Sequence, residues 1–416
     1  MSKSEIATTA SSGSLAAVTN PVGRVVDGAL IRLLGSALGQ SPAGRLHLIT
    51  PSGRGAVIGP VDRDVAAKIV LKSYRALSQI LRRGALGFAD AYITGDIETD
   101  SLPGLFDYYM DNEQAVAAAV PQLLRTGWMD QIFHRKRANT RKGSRRNIAA
   151  HYDLGNEFYR LWLDSGLTYS SAIYASPNVS LEVAQTEKYN RIIAALELQS
   201  NHNVLEIGCG WGGFVELAVQ RAATVTGITI SKQQFEEATS RATRTGLTDR
   251  ARFRLEDYRD TVGSFDRIAS IEMIEAVGEE NWSTYFGSIA DRLKPGGKAV
   301  IQAITIREDL YEGYRRNPDF IQRYIFPGGM LPTKESMRHE AETAGLEFET
   351  LETFAASYAL TLFEWRRRFD EAWPRIVALG FDERFRRLWH YYLTYCQVGF
   401  ERGSIDVGLY RLAKPS

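Results

Sequence analysis

Hydrophobic and polar positions change rhythm near residue 147. Ahead of that point the pattern is short and mixed. Residues 1–20 are rich in Ser, Thr and Ala and hold no continuous apolar run. They read as a disordered tail rather than a secretory signal. Residues 45–59 (RLHLITPSGRGAVIG) alternate and break at Pro51-Ser52-Gly53, which predicts a hairpin. Residues 62–85 set Val65, Ile69, Leu77, Ile80 and Leu81 near a 3.6-residue spacing, which predicts a helix. The stretch from Gly87 to Asp111 is aromatic and turn-rich and carries no chemical motif.

Beyond residue 147 apolar strands alternate with amphipathic helices. Strands are predicted at Asn203–Ile207, Thr224–Ile230, Arg252–Leu255, Phe265–Ile271 and Ala299–Thr305. Helices are predicted at Trp211–Arg221, Ser231–Thr245 (stopped by Gly246) and Trp282–Leu293 (ended by Lys294-Pro295-Gly296-Gly297). Strands alternating with helices of this length form a parallel sheet covered on both faces. The fold class is therefore α/β, with a smaller N-terminal α/β domain ahead of the main one.

Charge sharpens this division. The 416 residues carry 50 Lys+Arg against 49 Asp+Glu, a net of +1. Residues 1–150 alone hold 19 basic and 12 acidic side chains, so the remainder is acidic. The basic surplus concentrates in Arg135-Lys136-Arg137 and Arg141-Lys142-Gly143-Ser144-Arg145-Arg146. Such a run attracts polyanions, at about 1 kcal/mol per charge near an anionic membrane. It also reads as a solvated linker. The divisions are a tail over 1–20, an N-terminal domain over 21–133, a basic linker over 134–146 and a main domain over 147–416. Two cysteines in the chain suit a reducing cytosol, and no uninterrupted apolar run is long enough to span a membrane.

The chemistry sits at the first strand-to-helix turn of the main domain, Glu206-Ile207-Gly208-Cys209-Gly210-Trp211-Gly212-Gly213. Glycines let the backbone approach a ligand closely, and the following helix offers free N–H groups to an anion. The spacing is G-x-G-x-G-G, with an acid ahead of the first glycine. That form matches the first motif of S-adenosylmethionine (SAM) methyltransferases, so the expected architecture is Rossmann-like, class I. Gly208, Gly210, Gly212 and Glu206 are expected to hold SAM. Thr229 and Gln234 are expected on its ribose or methionine part. Glu256 and Asp257 follow the third strand, where such enzymes read adenine.

Several segments together resemble the cyclopropane-fatty-acyl-phospholipid synthase family. They are His151-Tyr152-Asp153-Leu154-Gly155-Asn156, Leu167-Thr168-Tyr169-Ser170-Ser171, the glycine loop, Gly227-Ile228-Thr229-Ile230-Ser231, Asp257-Tyr258-Arg259-Asp260 and Tyr324-Ile325-Phe326-Pro327-Gly328-Gly329. The likeness covers about residues 145–412. It implies methyl transfer from SAM to a cis double bond of a membrane phospholipid acyl chain, with Tyr169 and Ser170 also at the cofactor. It implies a lipid-recruiting role for residues 21–133. An alkene is a weak nucleophile, and its attack leaves a carbocation that aromatic faces can stabilise. Tyr169, Tyr324, Phe326, Tyr358 and Trp365 are candidates for that work, and ordinary core packing is their other reading.

In this family a bound bicarbonate removes the final proton. The resemblance places Glu275 and Tyr358 at two of its ligand positions. Ser171 stands where the family has Cys, Gln302 where it has His, and Ala276 where a His commonly follows the Glu. Either Ser171 and Gln302 still bind the anion, or Glu275 itself acts as base. The product is a cyclopropane if the proton leaves the transferred methyl, and a methylene- or methyl-branched chain otherwise. The branched branch of the family works with a separate reductase. The expected location is cytoplasmic, at the inner face of an anionic membrane. Homo-oligomerisation stays open, and no metal ligand is assigned. A small-molecule N- or O-methyltransferase fits the basic N-terminal part less well. A non-catalytic lipid-binding protein fits the intact glycine loop less well. Nucleic acid is not an expected partner, because no stacked-aromatic RNA module accompanies the basic run.

Overall fold

The computed structural model describes residues 21–38, 44–60, 62–115, 143, 154–222 and 224–416. The basic run (Gly143 apart) and the His151-Tyr152-Asp153 motif lie outside them.

The N-terminal part opens with helix α1 (Pro21–Leu38), followed by strands β1 (Arg45–Ile49), β2 (Gly55–Ile58) and β3 (Val65–Leu71). Helix α2 (Tyr74–Ile93), strand β4 (Ile97–Thr99) and helix α3 (Leu102–Asp111) complete it. The sheet order is β2-β1-β3-β4. The hairpin expected over 45–59 forms, with β1 antiparallel to β2. The helix expected over 62–85 forms only in its second half. Val65–Leu71 is a strand parallel to β1, and its side chains alternate toward and away from the core. Six apolar residues in seven fit a two-residue repeat as well as a helical one, and pairing with β1 decides between them.

The second part begins with α4 (Asn156–Arg160) and α5 (Leu181–Ala195). It then alternates β5 (Asn203–Ile207), α6 (Gly213–Ala218), β6 (Thr224–Thr229), α7 (Lys232–Arg244), β7 (Ala251–Leu255), β8 (Phe265–Ile271), α8 (Trp282–Arg292) and β9 (Leu293–Ile306). Helix α9 (Glu308–Arg316), a π-helical turn (Ile321–Ile325), α10 (Lys334–Thr343) and β10 (Glu347–Thr353) follow. Two long helices, α11 (Ala355–Ala378) and α12 (Glu383–Glu401), precede the last strand, β11 (Ile405–Ala413). The seven strands run β10-β11-β9-β8-β5-β6-β7. Strands β5 to β9 pair in parallel, and β10 and β11 are antiparallel. The chain leaves β5 toward β6 on one side and returns to β8 on the other. A crevice opens at the carboxyl ends of β5 and β8, where open α/β sheets bind ligands.

Candidate active site

One cavity of about 700 Å3 occupies that crevice. The glycine loop enters it from β5. Gly208, Gly210 and Gly212 have φ of +80°, +50° and +86°, in the left-handed region that a side chain disfavours. A Cβ on Gly208 would also stand 2.7 Å from the Met273 side chain. Glu206, at the end of β5, is almost fully buried, and its Oε2 has no hydrogen-bond partner among the described residues. Burial pushes its carboxyl up to about 8, against the pull of Lys188. A buried, unpaired carboxyl beside a glycine cradle fits a ligand carrying an ammonium group, as the methionine end of SAM does.

Thr229 and Gln234 also line the cavity, joined by a 2.8 Å bond from Thr229 Oγ1 to Gln234 Oε1. Glu256 lines it with a buried Oε1 that has no hydrogen-bond partner among the described residues. Asp257 lines it as well, but its carboxylate caps the turn that follows and pairs with Arg259 at 2.7 Å. Tyr169 and Ser170 complete this side. The Tyr169 hydroxyl meets that of Tyr392 at 2.8 Å, and Ser170 Oγ accepts from Lys188 Nζ at 2.7 Å. Lys188 is fully buried. Desolvation lowers its ammonium to about 8, while Glu272, Asp164 and Glu206 pull it back up.

The four residues expected at the proton-removing centre do not meet as expected. Three of them converge on a carboxylate that sequence reading missed, that of Glu272. Its Oε1 accepts from the Ser171 backbone N–H at 2.8 Å and from Gln302 Nε2 at 2.7 Å. Its Oε2 accepts from the Tyr358 hydroxyl at 2.7 Å. The Ser171 hydroxyl is turned to the Ala172 carbonyl, so this residue serves the centre through its backbone. Glu275 sits one turn further on. Its Oε1 accepts from the Ile304 N–H at 2.5 Å, and its Oε2 is unpartnered among the described residues. Burial and then the neighbouring Glu272 raise its carboxyl to about 8. The carboxylate that Ser171, Gln302 and Tyr358 hold is thus Glu272's, with Glu275 lining the same cavity beside it. The physical reason is register. Ile271 at the end of β8 pairs with Gln302 on β9, so the next residue, not the fourth, reaches Gln302.

Glu272 faces the cavity while enclosed by protein. Burial raises its carboxyl, and the Ser171 N–H, Tyr358, Lys188 and Gln302 oppose that shift. Its φ is +49°, one of three positive values at non-glycine residues among those described. A side chain held there costs about 1–2 kcal/mol, and such strain clusters at functional sites.

Of the aromatic candidates, Tyr169, Phe326 and Tyr358 line the cavity. Tyr358 stacks on Phe400 with ring centroids 4.4 Å apart. Trp365 is fully buried and edge-on to Trp162, a core residue. Tyr324 turns its hydroxyl to Asp90 and Arg83 of α2.

The mycolic acid cyclopropane synthetase family model matches residues 139–409. The chain belongs to that family. A tuberculostearic acid methyltransferase of Mycobacterium tuberculosis is 33% identical over 368 residues, spanning 85% of this chain and 84% of its own. The cyclopropane-fatty-acyl-phospholipid synthase of Escherichia coli K12 is 34% identical over 364 residues, 83% and 88% of the two chains. Among solved structures, the mycolic acid cyclopropane synthase CmaA1, complexed with SAH and CTAB, is 30% identical. It superposes with a TM-score of 0.60 over 65% of this chain and 98% of its own. This protein is thus a SAM-dependent methyltransferase of the cyclopropane synthase family, with the class I methyltransferase fold.

An ammonium placed at Glu206 favours the ionised carboxylate, so SAM binding near neutral pH should release a proton from the raised acid. Affinity should then climb as pH rises toward about 8. Calorimetry in buffers of different ionisation enthalpy measures this directly. Proton release identical in wild type and Glu206→Gln would exclude Glu206 as its source.

Proposed function

We propose that the protein transfers a methyl group from SAM to a cis double bond of an unsaturated phospholipid acyl chain, with the Glu272 carboxylate taking the final proton. The observation that carries this reading is the Glu272 cluster, held by Ser171, Gln302 and Tyr358 in the same cavity as the glycine loop. When bound, SAM supplies an electrophilic methyl. Tyr169, Phe326 and Tyr358 give the acyl chain an aromatic, water-excluding wall beside it. Methylation leaves a carbocation on the chain. A 1,2-hydride shift carries the cation to the methyl-bearing carbon, a C–H bond of that methyl breaks, its electron pair closes the new C=C bond, and the proton goes to Glu272. A carboxylate anchored in the protein makes an exchangeable bicarbonate unnecessary.

The product proposed is a methylene-branched chain, which a separate reductase would convert to a methyl branch. The likeness to a tuberculostearic acid methyltransferase supports it, as do Ser171 and Gln302 in place of Cys and His. Cyclopropane formation is the second reading, favoured by the Escherichia coli relative. Expression in a host making unsaturated phospholipids, followed by lipid mass spectrometry, tests the transfer: a gain of one CH2 unit per acyl chain is expected, and its absence would sink the reading. NMR of the product separates a vinylidene group from a ring.

The partner proposed is an anionic membrane surface, reached through the basic run over 134–146. No helix among the described residues is long and apolar enough to cross a membrane. Neutralising Arg141, Lys142, Arg145 and Arg146 should reduce sedimentation with anionic vesicles at low salt. Unchanged sedimentation would count against that surface.

A further inference from the structure

The cavity is not closed by the methyltransferase domain alone. Leu86 on α2, and Phe106 and Met110 on α3, form part of its wall. These residues precede the stretch that matches the family model. Helix α2 is broken at Gly84 (φ +57°, ψ −130°), so its second half takes a new direction. Leu86, Ala89 and Ile93 of that half share one buried cluster with Trp162, Trp365 and Trp389 of the second part. Phe106 meets Tyr391 of α12 edge-on, with centroids 5.0 Å apart, and Tyr391 lies 4.4 Å from Phe320 beside the π-helical turn.

Polar contacts fix the same junction. Arg83 pairs with Asp90, and both reach the Tyr324 hydroxyl. The Arg387 guanidinium donates to the carbonyls of Tyr92 and Ile97. The N-terminal domain is therefore a built wall of the cavity.

We propose that this wall selects the acyl chain, and that Leu86, Phe106 and Met110 are specificity-determining residues. The inference rests on the alkylation reading above. A double bond reacts only where it lies opposite the methyl donor and Glu272, so the space along the rest of the chain decides which chains place it there. An apolar wall discriminates by volume, about tenfold or more for a misfit of one methylene. Removing the Phe106 ring opens the wall, and a Trp at position 110 narrows it.

The test uses the full chain, SAM and vesicles of phosphatidylglycerol holding palmitoleoyl, oleoyl and eicosenoyl chains in equal amounts. The ratio of methylated products is read by mass spectrometry. Phe106→Ala should move the ratio about tenfold toward the longest chain, and Met110→Trp should move it toward the shortest. Both wall changes leave the SAM-binding residues untouched, so a purely structural defect would lower all products together. If Phe106→Ala does not fold, Met110→Trp carries the test alone. A wild-type ratio in the folded variants, whatever their total turnover, overturns the assignment. No methylation of any chain by the wild type overturns the alkylation reading itself.

Discussion

Glu272→Gln is expected to lower turnover on unsaturated phospholipid by about 10²–10⁴-fold, the range for loss of a general base. Glutamine keeps the shape and an acceptor for the Ser171 N–H, so folding and SAM affinity should stay near wild type. What it loses is the second acceptor facing Tyr358 and the ability to hold a proton. Glu275→Gln is the necessary comparison, because Glu275 is the other buried carboxyl lining the cavity and the alternative base. Glu275 stands apart from the cluster, with a carboxyl raised to about 8 and therefore mostly protonated near neutral pH. Its replacement should cost much less. Removing bicarbonate from the buffer should leave the wild type unaffected. Near-normal turnover in Glu272→Gln, with loss in Glu275→Gln, would return the role to Glu275 and reject the anchored carboxylate.

Lys188→Met should destabilise the fold by about 3–5 kcal/mol, the usual cost of removing one partner from a buried charge cluster. Lys188 is fully buried on α5, bonded to Ser170 Oγ, with Asp164, Glu206 and Glu272 as the acids that favour its charge. The same substitution should move the pH profile. Lys188 lowers the Glu272 carboxyl from where burial would set it. Without the cation that acid rises further, and a base must be ionised to work. The acid limb should therefore shift to higher pH, and part of the lost activity should return on making the buffer more alkaline. Thermal melting and a pH–rate profile measure both effects. A variant with wild-type melting and an unmoved profile would rule out a charge role for Lys188.

The glycine loop and the parallel strands β5 to β9 were legible because their signals are local, whereas the antiparallel β10 and β11 were not read. Phe265–Ile271 is read from the chain with the boundaries it has in the fold, and Ser231 caps α7 through its own side chain. The hairpin over 45–59 is similarly local, since Gly53 sits in its turn at φ +82°. Val65–Leu71 was not legible as a strand, because its apolar positions satisfy both repeats and only a partner strand chooses. The two glutamates of Glu272-Met273-Ile274-Glu275 pose the same difficulty at the site. Family spacing selects the second. The left-handed turn at the end of β8, which no local residue type signals, presents the first.

The sequence by itself determined the class of chemistry: a glycine turn with an acid before it, on alternating strands and helices, binds a nucleoside-bearing methyl donor. The family resemblance also singled out Ser171, Gln302 and Tyr358, which the fold brings together. Only the tertiary structure decided which carboxylate they serve, and that α2 and α3 complete the cavity wall. Glu272 is 101 residues from Ser171 and 86 from Tyr358. Hydrogen bonds across such separations depend on sheet register and helix docking, which burial of the whole core fixes and no short stretch of sequence encodes.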